Sequence, residues 1–306
     1  MATINILGAS HVYELTPPIA SSTPVLVFIH GWLLSRSYWQ PLVERLAPDY
    51  QCLIYDLRGF GDSQPQLDND REPPSLDLEV QETSAVDSGI GNYTPAAYAR
   101  DLGILLQQLN ITNAWLVGHS LGGTIALFGA SQLPEYVQGV ICLNAGGGIY
   151  LKEEFERFRT AGQEIVKRRP RWLLYLPLID LIFTRTQVAR PIARRWGRKR
   201  VIDFVAACSD AALGTLLDST TEAEVHRLPQ IVSKLEQPVY FIAGVKDQVM
   251  EPKYVHHLAS FHKLFGACGD NVVEIPDCGH LAMLEQPDVV EAEIRRILKQ
   301  EGANLS

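Results

Sequence analysis

Apolar residues in this chain fall in short unbroken runs separated by longer amphipathic stretches. Val25-Leu26-Val27-Phe28-Ile29 is continuous and ends at His30-Gly31, and Cys52-Leu53-Ile54-Tyr55 repeats the pattern and ends at Asp56. Such runs fit strands buried on both faces, since a half-buried strand would alternate with period two. Further strands are expected at Trp115–Val117, Val140–Leu143, Val239–Ala243 and Val272–Ile275. Between them the period becomes helical. Thr94 as N-cap and Pro95 as first helical residue open a helix whose Tyr98, Leu102, Leu105, Leu106 and Leu109 share one face. The last helix opens at Pro287 and should bury Val290, Ile294, Ile297 and Leu298. Alternating strand and helix predict an α/β fold, a mostly parallel, doubly wound sheet with helices on both faces. Ligands of such sheets bind beyond the carboxyl ends of the strands.

One strand end carries Gly118-His119-Ser120-Leu121-Gly122-Gly123, set between the apolar run Ala114 to Val117 and a helix-like stretch from Thr124 to Gln132. A serine on a tight strand-to-helix turn leaves no room for side chains at its neighbours, which explains the glycines, and the turn exposes its hydroxyl. The following helix points its N-terminus and its free N–H groups at the same place. G-x-S-x-G alone arises by chance in about one chain in ten of this length, so other strand ends must decide. Val239 to Ala243 leads into Gly244-Val245-Lys246-Asp247, and Val272 to Ile275 into Pro276-Asp277-Cys278-Gly279-His280. Ser120, Asp247 and His280 therefore supply nucleophile, acid and base in that order. A serine hydroxyl is a poor nucleophile until an imidazole takes its proton, and a carboxylate fixes the ring's tautomer. Of the other histidines, His119 is placed under the turn, His30 is read as a loop support, and His256, His257 and His262 as a solvated helix face. Asp277 is read as a loop residue.

These pieces together resemble an α/β-hydrolase of the capped serine-esterase type. The matching residues run nearly end to end: His30-Gly31-Trp32, Asp56 to Ser63, Gly118 to Gly123, Asp247 and Gly279-His280. The resemblance implies an oxyanion hole made by the backbone N–H groups of Trp32 and Leu121, and a structural turn at Asp56 to Ser63. It also implies a catalytic core of residues 1–147 and 229–306 with a helical cap at 148–228. Position 120 is serine, whereas dehalogenases and epoxide hydrolases of this fold carry an aspartate nucleophile. Menaquinone-pathway synthases tend to carry an arginine directly after the turn's second glycine, where this chain has Thr124. The expected reaction is hydrolysis of carboxylic esters through an acyl-enzyme, without metal or cofactor. The fold also hosts C–C bond hydrolases, acyltransferases and non-catalytic ligand receptors.

Charge adds a second theme. The 306-residue chain carries a net charge of −8, yet Lys152 to Arg200 holds fourteen Lys or Arg against five acids, so the remainder carries −17. Part of that lies between Asp68 and Asp87, within an acidic, Pro-rich stretch at 64–92 that reads as a long surface loop able to contact the basic segment. Inside the basic segment, Trp172 to Phe183 is nearly unbroken apolar sequence. It is too short to span a bilayer, which takes about 20 residues. It reads first as a cap helix that packs on the core with its arginines as a solvated rim, and its Trp172, Tyr175 and Leu176 are candidate contacts to a hydrophobic substrate with medium or long chains. The flanking arginines suit peripheral contact with an anionic membrane. Nucleic acid is not an expected partner, because the basic runs offer no stacking platform. The N-terminus has neither a basic n-region nor an apolar h-region, and the five cysteines are odd in number without CxxC spacing. Cys52 and Cys142 are expected as buried free thiols, and a reducing cytoplasmic setting follows as the expectation.

Overall fold

The computed structural model describes residues 1–19, 23–64, 93–146, 152–268 and 271–304. Most of the expected acidic loop at 64–92 lies outside the described residues. The chain opens with a hairpin of β1 (Ala2–Ile6) and β2 (Ala9–Leu15), followed by β3 (Val25–Ile29). A 3-10 turn at Arg36–Trp39 runs into α1 (Gln40–Leu46), then β4 (Cys52–Tyr55) and α2 (Pro95–Gln108). β5 (Ala114–His119), α3 (Leu121–Gln132) and β6 (Val137–Leu143) follow. Between β6 and the next strand stand α4 (Lys152–Lys167), a 3-10 turn at Arg171–Tyr175, α5 (Ile179–Phe183), α6 (Arg194–Ala206), α7 (Ser209–Ser219) and α8 (Glu222–Val232). The chain closes with β7 (Val239–Gly244), α9 (Pro252–Ala259), α10 (Lys263–Cys268), β8 (Val272–Ile275), α11 (Ala282–Glu285) and α12 (Pro287–Asn304).

The sheet runs β1-β2-β4-β3-β5-β6-β7-β8, with β3 to β8 parallel and the hairpin antiparallel at one edge. Its central strands are apolar throughout because both faces are covered. Val27, Ile29 and Leu116 pack under α2, α3, α8 and α9, while their neighbours Leu26, Phe28, Trp115 and Val117 pack under α1, α11 and α12. The two helices read from the periodicity are present. Thr94 caps α2 by accepting from the Ala97 N–H at 3.2 Å, and α12 buries Val290, Ile294, Ile297 and Leu298. Cys52 and Cys142 are buried and free. His262 corrects one expectation. It is buried, with Nε2 on the Gln237 carbonyl at 3.0 Å, because it follows the turn that ends α9 and points back onto the sheet side.

The insertion between β6 and β7 is fastened to the strand-end loops. Trp32 Nε1 donates to the Ala212 carbonyl at 2.9 Å, Ser35 Oγ to Asp203 Oδ2 at 2.8 Å, and the Cys208 N–H to the Gly59 carbonyl at 2.9 Å. The expected boundary at residue 228 falls inside α8, whose Leu228 and Val232 join the main core.

Asp56, at the end of β4, ties this side together. Its fully buried carboxylate accepts from the Arg36 backbone N–H at 2.6 Å, from the Arg36 guanidinium and from the Asp62 N–H at 2.9 Å. Gly61 has no side chain because a Cβ there would lie 2.4 Å from the same carboxylate. Asp56→Ala strips a buried guanidinium of its closest anion and should lower the unfolding free energy by about 3–5 kcal/mol. Urea unfolding measures this, and a loss below about 1 kcal/mol would show that Glu14 and Asp62 suffice to hold Arg36.

Candidate active site

β5 ends at His119 and α3 begins at Leu121, so Ser120 alone makes the turn. Its φ of 52° and ψ of −119° lie where a residue with a Cβ is strained by about 1–3 kcal/mol. Neighbours hold it there. The Ser120 N–H donates to the Leu143 carbonyl of β6 at 3.0 Å, and the Ser120 carbonyl accepts from the Gly123 N–H at 2.9 Å. The flanking glycines are forced by backbone contacts. A Cβ on Gly118 would lie 2.2 Å from the Gly122 carbonyl oxygen, and one on Gly122 would lie 2.1 Å from that of Ile29. Leu121 is the first residue of α3, so its N–H has no acceptor within the helix and stands at the positive end of the helix dipole.

The other two expected residues meet beside it. The loops after β7 and β8 touch so closely that a Cβ on Gly244 would lie 2.4 Å from the Gly279 carbonyl oxygen. This contact brings His280 Nδ1 to 2.8 Å from Asp247 Oδ2. Asp247 also accepts from the Val249 and Met250 N–H groups at 2.8 and 2.9 Å and from Asn144 Nδ2 at 2.9 Å. Burial by itself would raise this carboxyl, but His280 and the backbone donors outweigh it and hold Asp247 below the usual carboxylate range. A carboxylate can only accept, so Nδ1 is the donor in the His280–Asp247 contact and the ring's other nitrogen is Nε2.

Supports surround the imidazole. The His280 N–H donates to the Gln187 carbonyl at 2.8 Å, and His119 Nε2 donates to the His280 carbonyl at 2.7 Å. Burial pushes the His119 imidazole down to about 3, so it stays neutral beneath the turn. His30 supports the Asp56 turn as expected, since its Nε2 accepts from the Leu57 N–H at 3.0 Å. Asp277 points away as a half-exposed loop residue paired with Lys246 at 2.6 Å.

Trp32, His119, Ser120, Leu121 and His280 line one cavity of about 170 Å³. Leu34, Val249, Met250 and Leu281 add apolar wall from the strand-end loops, and the insertion adds the apolar Leu216 and Val225 with the hydroxyl residues Thr215, Ser219 and Thr220. Trp172, Tyr175 and Leu176 are not brought there; they stand exposed on the outer surface of the insertion. Leu216 and Val225 carried no sequence signal beyond helical periodicity, which marks a buried face without saying what it faces.

With this geometry in place, residues 24–287 match the family model of the alpha/beta hydrolase fold. The chain belongs to that family. A pimeloyl-[acyl-carrier protein] methyl ester esterase of Xanthomonas axonopodis pv. citri is 28% identical over 90% of this chain and 95% of its own. A 2-succinyl-6-hydroxy-2,4-cyclohexadiene-1-carboxylate synthase of an Enterobacter species is 26% identical over 90% of this chain and 92% of its own. Among solved structures, a thermophilic esterase from Thermogutta terrifontis shares the fold with a TM-score of 0.68 and 22% identity, covering 95% of this chain and 94% of that one.

In this α/β-hydrolase, Asn144 is a site residue that sequence reasoning passed over. It directly follows β6. The structure gives it φ 49° and makes its Nδ2 donate both to Asp247 Oδ2 and to the Gly279 carbonyl at 3.0 Å. Asparagine suits both demands, because it tolerates the left-handed region and offers two amide hydrogens. Asn144→Ala should lower the unfolding free energy by about 2–4 kcal/mol, from the lost bond to a charged acceptor and from left-handed strain. Asn144→Gly, free of that strain, should lose less. Chemical denaturation ranks the two variants, and equal losses would mean the backbone conformation costs nothing.

Proposed function

We propose that this chain is a serine hydrolase of carboxylic esters that works through an acyl-enzyme. The observation that carries the proposal is the His280 Nδ1–Asp247 hydrogen bond at 2.8 Å, which frees Nε2 in the cavity that Ser120 also lines. His280 Nε2 takes the Ser120 proton as Oγ attacks the ester carbonyl, and the new oxyanion is held by the N–H groups of Leu121 and Trp32. The tetrahedral intermediate collapses as the C–O bond breaks and His280 returns its proton to the leaving alcohol. Water then enters, gives a proton to His280 and attacks the acyl carbonyl; as the bond from Ser120 Oγ to the acyl carbon breaks, His280 returns that proton to Ser120 and the acid is released. Residues 1–147 and 229–306 act as the catalytic core in this reading, with 148–228 as a cap that walls the cavity through Thr215, Leu216 and Val225. The similar methyl ester esterase lends the ester class its support.

Cavity size sets the acyl group. About 170 Å³ compares with the roughly 150 Å³ engineered cavity that admits benzene, so a compact apolar group fits between these walls. The apolar run at 172–183 lies outside the cavity and places no demand on chain length.

Assays with p-nitrophenyl esters from two to twelve acyl carbons test both points. Activity should peak at short acyl chains and fall beyond them, and Ser120→Ala should lower kcat by at least about 10⁴-fold. Turnover that survives Ser120→Ala would overturn the nucleophile. Ligand-induced stabilisation without hydrolysis of any ester would favour a receptor or a C–C hydrolase, and transfer to added alcohol in preference to water would favour an acyltransferase.

A further inference from the structure

The apolar run in the insertion folds without burying itself. Neither the 3-10 turn at Arg171–Tyr175 nor α5 contains a buried residue. Trp172 is 60% exposed, Tyr175 83%, Leu178 59% and Ile182 58%. Among the described residues, seven of the fourteen exposed large apolar side chains lie between Trp172 and Ile182. A lone exposed leucine needs no explanation, but a concentration of this kind marks an interaction surface.

Its electrostatic setting is one-sided. From residue 165 to 200 there are eleven Lys or Arg and a single acid, Asp180, which is already paired with Arg194 at 2.5 Å. Arg168 pairs with Glu164 at 2.9 Å, while Arg171, Arg185, Arg195 and Arg198 are exposed. Internal bonds make this a built platform. Arg200 is buried and donates to the Phe183 and Thr186 carbonyls at 2.6 and 2.7 Å, and Arg169 Nη1 donates to the Phe204 carbonyl at 2.9 Å, so both apolar pieces are fixed onto α6. No helix among the described residues is long and apolar enough to cross a membrane.

We propose that this face docks on an anionic lipid surface, with Trp172, Tyr175, Leu178 and Ile182 entering the headgroup region and the arginines binding lipid phosphates. Tryptophan and tyrosine beside aliphatic residues suit the membrane interface, and basic residues supply the attraction to anionic headgroups. A second copy of the chain is the poorer occupant, because a two-fold contact here would set one basic surface against another. The docked face also leads directly to the site, since Gln187, which holds the His280 N–H, follows Ile182 by five residues.

Flotation of the full chain with vesicles tests the proposal by binding alone, independently of any hydrolysis. The protein should float with phosphatidylcholine vesicles containing 30% phosphatidylglycerol and stay in solution with pure phosphatidylcholine, and added salt should release it. Arg171→Gln/Arg198→Gln should lower the partition coefficient about 30-fold, at roughly five-fold per charge. Trp172→Ser/Tyr175→Ser should lower it about ten-fold or more, with short-chain ester hydrolysis unchanged. All four side chains are exposed, so unaltered thermal unfolding checks that the fold persists. No binding to the anionic vesicles in low salt, equal binding to neutral ones, or an undiminished Arg variant would each overturn the proposal. So would a dimer abolished by Trp172→Ser in a protein that ignores vesicles.

Discussion

Three pieces of backbone share one spot at the end of β5, and the contact between them is the constraint from which the site follows. Gly118 lies against Gly122, and Gly122 against Ile29 of β3, at separations that leave no volume for even one methyl group. Because α3 starts this close to the sheet, a single residue must complete the reversal, and it takes a strained positive φ to do so. That residue is Ser120. Strain of about 1–3 kcal/mol is small beside the packing of α3 into the core, so the fold can hold it permanently. A serine in a relaxed turn would leave its hydroxyl free to rotate away, whereas this one has its backbone clamped on both sides by Leu143 and Gly123.

The imidazole depends on a different kind of contact. Loops after β6, β7 and β8 converge, and their meeting point is a carboxylate rather than an apolar cluster. Asp247 is buried and collects donors from Val249 and Met250 of its own loop, from Asn144 after β6 and from His280 after β8. A buried anion is costly unless its acceptor sites are filled, so the same bonds that permit the charge also lock three loops in register. Gln187 adds a fourth contact, from the insertion. The imidazole is thus positioned by polar satisfaction and Ser120 by steric exclusion.

This difference explains what could be read in advance. Steric exclusion leaves glycines in the sequence, and burial on both faces leaves unbroken apolar runs; β3 to β7, Ser120 and the strand-end position of Asp247 were legible from those marks, while the edge strand β8 that precedes His280 showed only Val272, Val273 and Ile275 around an exposed Glu274. Asn144 was not, because a lone asparagine at a strand end carries no pattern until its partners are known. The β1–β2 hairpin was missed for a related reason. Its turn uses Leu7 at φ 51° with Gly8 at φ 83°, in place of the asparagine-glycine pair that announces such turns, and β1 is mostly exposed. His262 looked like part of a solvated face because it follows His256 and His257 in sequence, but the helix ends at Ala259 and the register is lost there. Trp172 to Phe183 showed its hydrophobicity plainly while concealing its direction: an apolar run says that water is avoided, without saying whether the alternative is a core, a substrate or another surface.

Direction matters most for that last segment, because it separates two tasks that a single apolar lid would have combined. The cavity is compact and walled in part by Leu216 and Val225, so in the proposed reaction it would act on the size of what reacts. The outer face is broad, apolar and basic, so it would set where the protein sits. Charge distribution then adds orientation. Lys152 to Arg200 carries an excess of nine positive charges and the rest of the chain −17. An anionic surface that attracts the insertion would repel the net acidic remainder within about one Debye length, roughly 8 Å at physiological salt, which favours approach by the insertion. The acidity of the remainder therefore strengthens the case for docking by the insertion, since it penalises every other way of approaching the same surface.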